Sequence, residues 1–110
     1  MVSEHPLATQ AGVSILEQGG NAADAAVACA LALCVVYPQA GNLGGGGFAI
    51  WVAHDTEEEP LALDFRETAP AALRAEHFLD EDGNFVPRRS LDGPLAVGVP
   101  GSPAGLFALH

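Results

Sequence analysis

Arg66 closes the run Leu61-Ala62-Leu63-Asp64-Phe65-Arg66, in which Leu61, Leu63 and Phe65 fall on one face of a strand and Asp64 and Arg66 on the other. Its planar fork of donors fits a carboxylate through two parallel hydrogen bonds. Two uses of it are open on the residues alone. It anchors the carboxylate of a substrate, or it forms an internal ion pair with Asp64 or Glu67. Thr68 reads as a turn or cap hydroxyl rather than a nucleophile, and Arg88 and Arg89 fall in a polar loop where solvent exposure is the default.

The remaining constellations fail on spacing or order. Gly44, Gly46 and Ala49 satisfy a loose Gly-x-Gly-x-x-Gly/Ala pattern, but a dinucleotide fingerprint needs a strand before the glycines and a helix after them, and here the order is reversed. The run Gly44-Gly45-Gly46-Gly47 serves close backbone packing at the entry of a strand, room beside a substrate, or both. Asp80, Asp82 and Asn84 match the first ligand positions of a calcium loop, yet Phe85 stands at the invariant glycine position and Leu91 at the closing glutamate position. His5, His54, His77 and His110 show no paired spacing and none lies near a cysteine. Cys29 and Cys34 sit on one apolar helical run, about 140° apart in azimuth and about 7.5 Å in rise, so they cannot bridge. No metal and no cofactor are expected.

Charge narrows the partners. The 110 residues carry 4 Lys+Arg against 14 Asp+Glu, a formal net charge of −10. The basic residues are Arg66, Arg74, Arg88 and Arg89; without lysine there is neither Schiff-base chemistry nor a phosphate loop ending in Gly-Lys-Ser/Thr. A phosphate backbone would be repelled, so nucleic acid is not an expected partner. The longest run free of polar side chains, Ala25 to Tyr37, is far shorter than the roughly 20 residues that span a bilayer, so no membrane segment is expected. Met1-Val2-Ser3-Glu4-His5 has no basic stretch and no apolar segment before a cleavage site, so no signal peptide is read in this chain and its location is left open.

These residues need elements to position them. Pro6 suits the first turn of a helix whose stripe is Leu7, Ala8, Ala11, Gly12, Ile15 and Leu16, and Gly19-Gly20 ends it. Asn21 caps a second helix, with Asp24 three residues on, running to about Val36. This helix is apolar on every face, which predicts a central position covered all round. Phe48 to Ala53 predicts a fully buried strand, paired antiparallel with the strand at Leu61 after the acidic bend His54 to Pro60. A turn is expected at Asp82-Gly83-Asn84, loop over Pro87 to Gly93, a short strand over Leu95 to Val99, and a last helix from Ala104. The class is α+β in one domain at most.

Several of these segments share a pattern beyond their elements. His5-Pro6-Leu7-Ala8-Thr9-Gln10, Gly19-Gly20-Asn21-Ala22-Ala23-Asp24-Ala25-Ala26-Val27, Pro38-Gln39-Ala40-Gly41-Asn42-Leu43-Gly44-Gly45-Gly46-Gly47-Phe48 and Asp64-Phe65-Arg66-Glu67 follow one another in order. Leu79-Asp80 with Gly83-Asn84, then Gly98-Val99-Pro100-Gly101-Ser102, continue the series. Together they resemble the gamma-glutamyltranspeptidase (glutathione hydrolase) family over nearly the whole chain. The resemblance implies an N-terminal-nucleophile hydrolase, an αββα sandwich made as a precursor that cuts itself into large and small subunits. Residues 1–110 then correspond to an incomplete N-terminal portion of the large subunit.

The same resemblance implies the chemistry. A threonine freed at the small subunit's N-terminus attacks the gamma-glutamyl amide of glutathione or a related donor, with its own α-amine as base. The acyl group then passes to water or to an amino acid or peptide. Arg66 takes the position that binds the donor's α-carboxylate. Thr9, Thr56 and Thr68 have no comparable cleavage context, so no catalytic residue is expected in this chain and the chain alone is expected to be inactive. Its implied partners are the rest of the large subunit and the small subunit, and family members are usually periplasmic, secreted or at the cell surface. The glutaryl/cephalosporin acylase and poly-gamma-glutamate depolymerase branches share this architecture, and a non-catalytic module of the same fold is the reading from another class.

Overall fold

Local capping fixes the first two elements of the computed structural model, which describes residues 1–54 and 57–110. Asp55 and Thr56 of the expected acidic bend lie outside the described residues. Helix α1 (Pro6–Glu17) starts at the proline, and the His5 Nδ1 before it accepts the Leu7 N–H at 3.2 Å. It closes where Gly19 adopts φ 90°, a region open to glycine, so that the Gly20 N–H reaches the Ile15 carbonyl at 2.9 Å. Helix α2 (Ala22–Val36) opens with a reciprocal cap. Asn21 Oδ1 accepts the N–H groups of Ala23 and Asp24 at 2.7 and 3.0 Å, and Asp24 Oδ2 accepts the Asn21 N–H at 2.9 Å.

The two helices pack through small residues. Ala8, Gly12, Ala23, Ala25 and Cys29 are buried along them, and a Cβ on Gly12 would stand 2.9 Å from the Ala25 carbonyl oxygen. Such backbone proximity is open only to side chains of this size. The expectation of a helix covered all round is met on one side only. Val35 remains 79% exposed and Leu31 46%, because none of the described residues covers that face.

Strands β1 (Phe48–Trp51) and β2 (Leu61–Asp64) form the expected antiparallel ribbon, with Phe48 opposite Asp64, Ala49 opposite Leu63, Ile50 opposite Ala62 and Trp51 opposite Leu61. Pairing and alternation together sort the side chains. Ala49, Trp51 and Leu63 are half-buried on the face toward the last helix, whereas Phe48 and Ile50 are 67% and 77% exposed. The strand expected to be fully buried is therefore buried on one face.

Helix α3 (Ser102–Leu109) begins two residues before the expected Ala104, since Pro103 fits within a first helical turn. The N–H groups of Gly101 and Ser102 both reach the Gly45 carbonyl, at 2.9 and 3.0 Å, and His110 Nδ1 meets Asp24 Oδ1 at 3.0 Å. Between β2 and α3 the chain uses short 3₁₀ turns at Ala75–Phe78, Pro87–Ser90 and Pro94–Ala96. The last of these replaces most of the strand expected over Leu95 to Val99, because Gly93 at φ 83° turns the chain and Ala96 N–H closes on its carbonyl at 3.1 Å. Only Val99 pairs, with Thr68. The turn between Leu79 and Phe85 forms as expected, with Gly83 at φ 80°.

The result is an extended arrangement in which α1 packs on α2, α2 on α3, and α3 on one face of the ribbon. Its radius of gyration is 18.0 Å with extents of 60 × 34 × 17 Å, against about 13 Å for an ordinary compact domain near this length. Among the described residues no helix is long and apolar enough to cross a membrane.

Candidate functional site: the Arg66 arm

Backbone contacts carry the chain past the end of β2 and hold it on both sides of Arg66. The Phe65 N–H reaches the Gly47 carbonyl at 3.0 Å, continuing the ribbon by one residue. Three residues on, the Val99 N–H donates to the Thr68 carbonyl at 2.8 Å and the Thr68 N–H to the Val99 carbonyl at 3.3 Å. Thr68 thus serves as a backbone tie, in keeping with its reading as a turn residue. Phe65 turns its ring toward α3, where Gly105 is buried against it, and Gly101 lies against its carbonyl.

Held in this way, Arg66 is exposed and its guanidinium has no hydrogen-bond or ion-pair partner among the described residues. Neither expected partner for an internal pair, Asp64 or Glu67, forms an ion pair with it. Asp64 Oδ1 accepts the Arg66 backbone N–H at 3.0 Å, and the Glu67 side chain packs on Gly98. The other arginines behave differently. Arg74 Nη1 donates to the carbonyls of Ala71 and Leu73, Arg89 Nη1 to those of His77 and Leu79, and Arg88 Nε pairs with Asp92 at 3.1 Å. Beside Arg66 runs an open groove of about 360 Å³, with Glu67 and Thr68 on one wall and Leu95, Val97 and Gly98 on the other.

Bidentate recognition needs a guanidinium with open donors on a braced backbone, and among the described residues Arg66 has both. Within the glycine run nearby, Gly46 and Gly47 serve close packing. Gly46 lies directly against residues 65–67, and Gly47 lies against the Phe65 ring. Gly98, Gly101 and Gly105 complete the support; the first two entered the sequence reading only as part of the family-like run Gly98 to Ser102, with no packing role, and Gly105 was not singled out. Arg89 was read as exposed, and it is, but its guanidinium ties two carbonyls of the 77–86 turn.

The other sequence candidates hold structural places. Cys29 and Cys34 are free thiols, and Thr9 Oγ1 shares a hydrogen bond with Ser3 Oγ at 2.8 Å. Among the described residues no group of His, Cys, Asp and Glu is arranged to hold a metal ion. Asp80 instead accepts the N–H groups of Asn84 and Asp82 on Oδ1, at 2.8 and 3.0 Å. The Asn84 backbone bond, with smaller help from its side chain, Asp82 and Arg89, holds the Asp80 carboxyl below its ordinary range.

Comparison with known proteins then decides the kinship. Residues 8–110 match the family model described as Gamma-glutamyltranspeptidase. The chain belongs to the gamma-glutamyltranspeptidase family. It is 53% identical over 98 residues to the glutathione hydrolase proenzyme of Escherichia coli strain K12, covering 89% of this chain and 17% of that protein. Among solved structures it resembles the Helicobacter pylori gamma-glutamyltranspeptidase with a TM-score of 0.89 and 56% identity, over 98% of this chain and 30% of that one. It superposes as well on the gamma-glutamyltranspeptidase from Pseudomonas nitroreducens complexed with L-DON, with a TM-score of 0.91 and 42% identity, over 100% of this chain and 32% of that one.

Family members of this kind have the N-terminal-nucleophile hydrolase fold, of which the present chain is an incomplete α+β portion. The chain spans under a fifth of the curated gamma-glutamyltranspeptidase relatives it matches. One helical layer and one ribbon face are what such a portion contains.

Proposed function

We propose that the full-length protein carrying this segment cleaves the gamma-glutamyl amide of glutathione and related donors and passes the gamma-glutamyl group to water, an amino acid or a peptide. Within it, residues 1–110 form the start of the large subunit, and Arg66 binds the donor's α-carboxylate. Family membership supports the reaction class. The observation that carries the role of Arg66 is its exposed guanidinium, without a partner among the described residues, at the end of a braced strand.

The donor's α-carboxylate lies one side-chain length from its scissile amide. A guanidinium that fixes the carboxylate in two hydrogen bonds therefore also fixes the carbonyl carbon, and converts binding into alignment with the attacking hydroxyl. That hydroxyl belongs to the small subunit's terminal threonine, whose α-amine takes its proton. Residues 1–110 contribute no group to bond breaking, so the segment alone is inactive. The rest of the large subunit and the small subunit cover the bare ribbon face of Phe48 and Ile50.

The test is Arg66→Lys in the full-length protein, assayed by amine release from a gamma-glutamyl anilide with and without an acceptor dipeptide. Lysine keeps the charge and loses the fork, so KM for the donor is expected to rise about tenfold or more. An unchanged KM rejects the anchor. A denaturing gel of the same protein separates the enzyme, which yields two fragments, from a non-catalytic module, which stays uncut.

A further inference from the structure

Gly46 lies against the backbone of Arg66 itself. A Cβ placed there would stand 2.6 Å from Arg66 Cα and 2.5 Å from both the Glu67 nitrogen and the Phe65 carbonyl oxygen. These are main-chain atoms, so relief requires the arm to move rather than a side chain to swing. Gly98 supports the arm from the opposite wall of the groove, where a Cβ would lie 3.1 to 3.3 Å from the Glu67 side chain and the Thr68 carbonyl. Gly45, one residue before Gly46, is different: its nearest neighbour for a Cβ is Asn42 Oδ1 at 3.6 Å, an ordinary contact.

We propose that Gly46 and Gly98 are positioning residues for the donor anchor, setting the place of Arg66 through close backbone approach. The inference rests on the reading of Arg66 given above. A fork that makes two parallel hydrogen bonds tolerates little displacement, and a misplacement of about 1 Å at a positioning group can cost about a hundredfold in rate. The ribbon bond from Phe65 to Gly47 and the Thr68–Val99 pair fix the arm along its length. Gly46 and Gly98 fix it across.

The experiment measures kcat and KM in the full-length protein for Gly45→Ala, Gly98→Ala and Gly46→Ala, each with and without Arg66→Ala. Two donors are compared: a gamma-glutamyl anilide, and a 4-aminobutanoyl anilide that keeps the amine and the scissile amide but has hydrogen in place of the α-carboxylate. Expected KM for the gamma-glutamyl donor is unchanged for Gly45→Ala, raised about threefold for Gly98→Ala and about tenfold for Gly46→Ala, with kcat within about threefold. The 4-aminobutanoyl donor should not distinguish the glycine variants, and their effect should vanish in the Arg66→Ala background. The inference is overturned if Arg66→Ala raises KM while Gly46→Ala and Gly98→Ala behave like Gly45→Ala, or if both donors suffer equally. An Arg66→Ala variant with unchanged KM overturns the anchor and this inference with it. Should Gly46→Ala fail to fold, the milder Gly98→Ala decides the question through the same cycle.

Discussion

The α1–α2 pair and the β1–β2 ribbon are both built mainly from apolar residues and end in opposite states. The helices bury Ala8, Gly12, Ala23, Ala25 and Cys29, while no ribbon residue falls in the buried class. The difference lies in where each element's partner is. A helical hairpin finds its cover within about thirty residues and closes it with local caps. A ribbon of two strands has two faces, and α3 supplies cover for only one of them. Apolar sequence thus records that a face is to be covered, and not which part of the protein covers it.

The most direct way to break this contrast is to truncate the bare face. Ile50 is 77% exposed here, so within this chain it contributes little packing. In the full-length protein, where the face is proposed to be covered, Ile50→Ala is expected to cost about 2–4 kcal/mol in denaturant unfolding. A loss under about 0.5 kcal/mol, the range of an ordinary surface substitution, means that the ribbon face stays solvent-exposed and the proposed cover is absent.

What sequence made legible follows the same division. The bounds of both long helices could be read because their signals, Pro6, Gly19, Asn21 and Asp24, act on neighbours a few residues away. The faces of β2 were legible from the alternation around Asp64 and Arg66, and its antiparallel pairing with β1 from the short connection between them. Burial was not, since it depends on residues remote in sequence. The Leu95 to Val99 segment was misread as a strand because its apolar run outweighed Gly93 and Pro94, which set a 3₁₀ turn and leave Val99 alone to pair. Residue type marked Arg66 as a candidate carboxylate binder, with an internal ion pair to Asp64 or Glu67 left open beside it. That neither Asp64 nor Glu67 pairs with it is a matter of side-chain geometry that residue types do not fix.

A smaller change sharpens the helical side of the contrast. Asn21→Ala removes the acceptor for two N–H groups at the start of α2 and leaves Asp24 capping only half of the box. The expected loss is about 1 kcal/mol of stability, read as a lower midpoint in denaturant unfolding, with Asn21→Asp retaining most of it. Equal stability of Asn21→Ala would mean that tertiary cover, not the cap, fixes the start of this helix. The helices would then resemble the ribbon in depending on distant partners.

The smallest effect concerns the 79–85 turn, which like the helical pair closes on itself. Asp80 accepts the N–H groups of Asn84 and Asp82, and these bonds favour its ionised form, with Arg89 adding a weaker attraction. A carboxyl whose folded value lies below its unfolded value adds stability that is complete above the unfolded value, about 3.9, and is lost as pH falls through the lower folded one. The Asn84 amide resonance of the labelled protein should therefore titrate with a midpoint below about 3.9. Arg89→Gln should move that midpoint up only slightly, because the Asn84 bond dominates and the charge of Arg89 is the last of its supports. A midpoint at the ordinary carboxylate value would show that the turn is not held by Asp80, and that its closure, like the cover of the ribbon, comes from elsewhere in the protein.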